Sequence, residues 1–95
     1  MGYHAVVADE RLRRDNGLPF QEIQGRAVVL CPARREVHEL DEVGTFVWGR
    51  LREPSTLADL VESLCAEFEV EPARAREDLR IFLADLRDKG LLEKA

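Results

Sequence analysis

The chain has 95 residues, 45% of them hydrophobic and 35% charged, with a formal net charge of −5. That balance fits one soluble domain with a single modest core, and excludes a disordered or low-complexity chain. No apolar run approaches the ~20 residues that cross a bilayer.

The N-terminus "MGYHAVVADE" has no basic lead-in and no convincing cleavage site. No signal peptide is read there, and a cytoplasmic protein is expected. Two cysteines, Cys31 and Cys65, do not make a disulfide framework. The charge is unevenly placed: residues 36 to 71 carry ten acids and two bases. Such a surface repels a phosphate backbone.

Residues 1 to 17 show no clear period and end in the polar run "DERLRRDNG", which reads as an N-terminal arm. The domain proper is expected over residues 18 to 95. "PFQEIQ" alternates, Gly25-Arg26 marks a tight turn, and "AVVLC" is a β-branched run of strand length that can be buried on both faces. Pro32 ends that run, and Glu36 to Leu40 reads as a third short strand. Short loops between the three predict an antiparallel meander.

The remainder is helical. Asp41 stops the third strand and can cap a first helix, with its carboxylate accepting from the exposed N–H groups of the first turn. Gly49 and Pro54 bracket that helix's end, and Trp48 reads as core. Thr56 with Asp59 three residues on resembles a capping box. Leu57, Leu60, Val61, Leu64, Cys65 and Phe68 then form an apolar stripe at helical spacing. Pro72 opens a third helix, Ala75, Leu79, Phe82, Leu83 and Leu86 are its core stripe, and Gly90 stops it after Lys89. Leu91 and Leu92 can fold back onto the core. The fold class is α+β, winged helix-turn-helix-like, with a three-stranded antiparallel sheet followed by three helices.

No catalytic constellation stands out. His4 and His38 are far apart and lack the spaced ligands of a zinc site, which needs about four. Cys65 sits on an apolar stripe and Cys31 ends a strand, so both read as small hydrophobes. No glycine-rich loop leads from a strand into a helix, and so no phosphate cradle is signalled. Neither a metal nor an organic cofactor is expected. One surface residue breaks the pattern: Ile81 is apolar on the otherwise polar face of the third helix, on a stripe with Arg74, Asp78 and Asp85 and bordered by Phe82.

"LDEVGTFVW", "TLADLVESL" and "ARAREDLRIFLADLRDKGLL" together resemble the PqqD-like family of precursor-peptide recognition elements, over about residues 18 to 92. The matching positions are Leu40, Asp41, Gly44 and Trp48, then Thr56, then Ala75, Asp78, Phe82, Leu83, Leu86, Gly90, Leu91 and Leu92. Asp41 replaces a more frequent Asn, and Arg52-Glu53-Pro54 stands where an Asp-Gly turn is common.

The resemblance implies a non-catalytic peptide chaperone of natural product biosynthesis. It would bind the leader of a ribosomally made precursor peptide as an added strand, in a groove against the third helix. The implied contacts are Glu36, Val37, His38, Glu39 and Leu40 on the strand, with Arg74, Asp78, Ile81, Phe82 and Asp85 on the helix. The implied recipient is a radical-SAM or other peptide-modifying enzyme, with no membrane partner. An open edge can also pair with its own copy, so a homodimer is a second use of it. The competing reading is a small winged-helix DNA-binding regulator. Against it, the third helix mixes both signs of charge and the segment before it is acidic, so no nucleic-acid partner is expected.

Overall fold

The computed structural model describes residues 9–94. Its elements are β1 (Leu12–Arg14), β2 (Phe20–Ile23), β3 (Arg26–Cys31), a 3₁₀ turn (Pro32–Arg34), β4 (Glu36–Glu39), α1 (Glu42–Arg50), α2 (Leu57–Glu67), α3 (Pro72–Asp88) and β5 (Leu92–Lys94). Strands β2, β3 and β4 form an antiparallel meander in that order, and β1 pairs with β5 in a second sheet. The α+β, winged-helix-like class read from the sequence is the class observed; the second sheet was not anticipated.

Between β2 and β3 the chain turns in two residues. Gln24 and Gly25 have φ of 54° and 79°, the pair of positive values that a type I′ hairpin requires. The turn therefore falls one residue earlier than Gly25-Arg26, and Arg26 is the first residue of β3, opposite Ile23.

Burial on both faces, expected for "AVVLC", does not occur. Ala27, Val29 and Cys31 are buried beneath the helices, whereas Leu30 is 41% exposed on the other face. Among the described residues only one side of this sheet carries helices, so alternate residues of β3 lie on the other, more exposed face.

The corner from β4 into α1 is held by three short hydrogen bonds. Leu40 N–H donates to Ala27 O at 2.8 Å, Ala27 N–H donates to Thr45 Oγ1 at 2.8 Å, and Gly44 N–H donates to Asp41 Oδ1 at 2.7 Å. Strand, helix start and cap are thereby one unit.

The reciprocal capping box at α2 is present. Asp59 N–H donates to Thr56 Oγ1 at 3.1 Å, and Thr56 N–H donates to Asp59 Oδ2 at 3.0 Å. The bond from the Thr56 backbone, chiefly, holds the Asp59 carboxyl below its ordinary value.

The core lies between the sheet and the helices. Leu57, Leu60 and Leu64 come from α2, and Ala75, Leu79, Leu83 and Leu86 from α3. Trp48 is buried at the centre, with Phe20 edge-on at 5.9 Å between ring centroids and the Arg14 guanidinium 4.6 Å above the Phe20 ring. After α3, Gly90 takes φ 75° and turns the chain so that Leu91 enters the core.

The stretch read as a loose arm through residue 17 is tied down in its described part. Leu12 is fully buried, exchanges two 2.9 Å backbone hydrogen bonds with Ser55, and faces Lys94 across β5. Arg14 N–H donates to Leu51 O at 2.9 Å. The strand is short and its partners lie far along the chain, so no local period announces it. His4, one of the two histidines weighed as a ligand, lies outside the described residues.

Leu12→Ala should lower the free energy of unfolding by about 2–5 kcal/mol, the usual cost of truncating a fully buried leucine. Urea unfolding followed by circular dichroism measures it. A change under about 0.5 kcal/mol, the level of an exposed surface substitution, would return this segment to the status of an arm.

Candidate functional site: an open strand edge beside a groove

Strand β4 ends the meander, and among the described residues no strand pairs with its outer edge. Which residues that edge presents follows from alternation. Leu40 N–H points back to Ala27 of β3, so Glu36 and His38, of the same parity, also turn their backbone groups to β3. The N–H and C=O groups of Val37 and Glu39 therefore point away from the sheet. Side chains alternate too. Glu36 and His38 lie on the helix side, with His38 Nε2 3.0 Å from Glu36 Oε1, and Val37 and Glu39 lie on the outer face.

A groove of about 310 Å³ opens where β4 runs into α1. Val47, Leu64 and Leu79 form its apolar floor; Asp41, Val43, Gly44, Asp78 and Phe82 form its walls. Val43 is 41% exposed there, an apolar residue with nothing over it. Both wall carboxylates are engaged. Asp41 caps α1, and Asp78 Oδ2 accepts from Arg74 Nε at 3.3 Å.

Two contacts tie the segments that flank β4 to α3. At one end, Arg34, in the turn before β4, donates through Nη1 to Asp88 O at 3.0 Å and crosses beside Gly90 at the end of α3. At the other end, Gly44 lies under the Phe82 ring, and a Cβ there would stand 3.2 Å from Cε1 and Cζ. Only glycine lets the helix backbone approach the ring this closely.

Of the helix residues implied by resemblance, Asp78 and Phe82 line the groove. Arg74 is beside it through its ion pair with Asp78. Ile81 is 62% exposed and lies about 100° around α3 from Phe82, at 3.6 residues per turn. Asp85 is exposed and pairs with Lys89 at 2.8 Å. Neither Ile81 nor Asp85 is in the groove lining. Val43 and Gly44 are, and were not singled out as site residues. The available signal was Val43, an apolar residue two positions after the Asp41 cap, where a first helical turn usually faces solvent.

An open sheet edge bordered by an apolar groove defines a class of small α+β binding domains, and comparison with known proteins narrows it. Residues 26–92 match the family model for coenzyme PQQ synthesis protein D, PqqD. The chain belongs to this family.

A PqqA binding protein from Xanthomonas oryzae pv. oryzae (strain PXO99A) is 33% identical over 81 residues, which is 85% of this chain and 86% of the relative. Among solved structures, TbiB1 in complex with the TbiA(beta) leader peptide superposes with a TM-score of 0.78 at 31% identity, covering 85% of this chain and 94% of that one. The PqqD truncation of Methylobacterium extorquens PqqCD, described as a functional, stand-alone recognition element, gives a TM-score of 0.80 at 22% identity. It covers 99% of this chain and 100% of that one, and is a likeness of fold.

The two glycines of α1 provide a matched test of the groove wall. Alanine favours a helix interior over glycine by about 1 kcal/mol. Gly49 has nothing within 4 Å of an added Cβ, so Gly49→Ala should stabilise the domain. At Gly44 an added Cβ would stand 3.1 Å from Asp41 Oδ1 and 3.2 Å from the Phe82 ring, so these must yield, and overpacking costs about 1–3 kcal/mol. Gly44→Ala should therefore be less stable than Gly49→Ala by roughly that amount in urea unfolding. Equal stabilities would mean that the ring is not held against α1.

Proposed function

We propose that this chain is a non-catalytic peptide chaperone. It binds the leader of a ribosomally made precursor peptide as a fourth strand on β4 and presents it to a peptide-modifying enzyme, of the radical-SAM class. The observation that carries this reading is the open edge of β4 beside a groove whose floor is the protein's own apolar core. Backbone pairing with Val37 and Glu39 supplies affinity that tolerates many sequences, and the groove selects side chains. A relative named for binding PqqA and another solved with a leader peptide support the same assignment. The enzyme class rests on the family resemblance.

Among the described residues no three His, Cys, Asp or Glu side chains gather as a metal site would require. Cys31 is buried and Cys65 half-buried, both as free thiols. The acids of residues 36 to 71 disfavour nucleic acid. Among the described residues no helix is long and apolar enough to cross a membrane. A homodimer through paired β4 edges would occupy the same backbone groups, and so leader and second copy would compete.

Ile81 forms the outer lip of the site in this proposal. Ile81→Asp should stay folded, because the side chain is already 62% exposed. It should weaken binding of a cognate leader peptide by on the order of 1–3 kcal/mol, through lost apolar burial. Leu79→Asp, in contrast, puts a charge in the core and should unfold the domain. Calorimetric titration of the leader, with circular dichroism on each variant, separates the two effects. Parental affinity in a folded Ile81→Asp protein would confine the peptide to the wall at Phe82.

A further inference from the structure

The outer face of the meander, turned away from the helices, is apolar where a solvent face should be polar. Ile23 is 53% exposed and Val37 64%, and Leu30 joins them. Single exposed apolar residues are ordinary, but these are ordered. Leu30 and Val37 are direct cross-strand partners, and Val28 on the same face is the direct partner of Glu39. The Glu39 carboxylate is only loosely held: its Oε2 is 3.9 Å from Arg26 Nε, with the two side chains 62% and 51% exposed. Two rows thus run across the sheet to the open edge, one ending in Val37 and the other in Glu39. These are also the two residues whose backbone groups face outward.

We infer that a strand added to β4 is read on its outer face as well as in the groove, with an apolar side chain beside Val37 and a basic one beside Glu39. The inference rests on the strand-addition reading above. Side chains in lateral register on neighbouring strands share a face whichever way the added strand runs. The residue beside Val37 therefore extends the Leu30–Val37 row and shields both from water. The residue beside Glu39 meets a carboxylate whose present partner is distant, so a lysine or arginine gains an ion pair there, and an acid would face a like charge directly. Between these two, one residue points inward, toward the groove. The substrate class is an extended peptide with an apolar and a basic residue two positions apart. The patch is continuous with the edge that takes the peptide, and the Glu39 carboxylate, held only loosely by Arg26, is complementary to such a residue; both features favour the peptide as its occupant.

A phage-displayed library of random peptides about nine residues long, enough to pair along the edge and fill the groove, tests this. It is selected separately on the parent, on Glu39→Arg and on Val37→Glu. Both positions are largely exposed, and a changed preference, unlike a lost one, cannot come from an unfolded protein. The parent should enrich Lys or Arg two positions from an aliphatic or aromatic residue. Glu39→Arg should shift the first of these toward Asp and Glu, and Val37→Glu should shift the second toward Lys and Arg. Each shift should be on the order of two- to fivefold in relative enrichment, the size of one cross-strand pair. If all three proteins select the same residues, the outer face is not read, and strand addition stands without it. If the parent enriches no peptide, strand addition itself fails and the inference falls with it.

Discussion

The Asp41 carboxylate, accepting the Gly44 N–H at 2.7 Å, holds the corner on which the site depends. Only Leu40 and Asp41 separate β4 from α1, so no long connection intervenes there to cover the strand's edge. Thr45 continues the same lock by accepting from Ala27 of β3. Because α1 begins there, Gly44 arrives against Phe82, and the groove, lined by Asp41 and Val43, opens at the end of β4. A longer connection would separate the backbone that pairs from the side chains that select.

An open edge invites unwanted pairing, and this chain limits that hazard by ordinary means. Strand β4 has four residues, two of them glutamates, Glu36 and Glu39. A short, charged edge offers few hydrogen bonds to a stray strand and repels an identical one. The apolar surface that stays exposed is split between the groove and the outer face. The same features fit a site for a transient guest, since a brief ladder of backbone bonds holds an extended peptide without committing to it.

The features closest to local chemistry were legible in the sequence. The Asp41 cap, the Thr56–Asp59 box, the buried stripe Ala75, Leu79, Leu83 and Leu86, and the stop at Gly90 all follow from rules that span a few residues. The pairing of β1 with β5 was not legible, because it joins two three-residue strands at opposite ends of the chain and Leu12 is the only apolar residue in its run. The edge of β4 could be placed from the meander, but which backbone groups it presents required the register. The groove was partly legible. Asp78 and Phe82 were marked by the helix pattern and family resemblance, whereas the Gly44–Phe82 contact is tertiary and no spacing along one helix reveals it.

Amide hydrogen exchange, resolved by residue during titration with the leader peptide, tests the central claim most directly. In the free protein His38 and Leu40 direct their N–H groups into the sheet, and Val37 and Glu39 direct theirs outward. The account predicts that bound leader slows exchange at Val37 and Glu39 strongly, with little further change at His38 and Leu40. Saturating leader that leaves Val37 and Glu39 exchanging as fast as in the free protein would contradict strand addition at this edge.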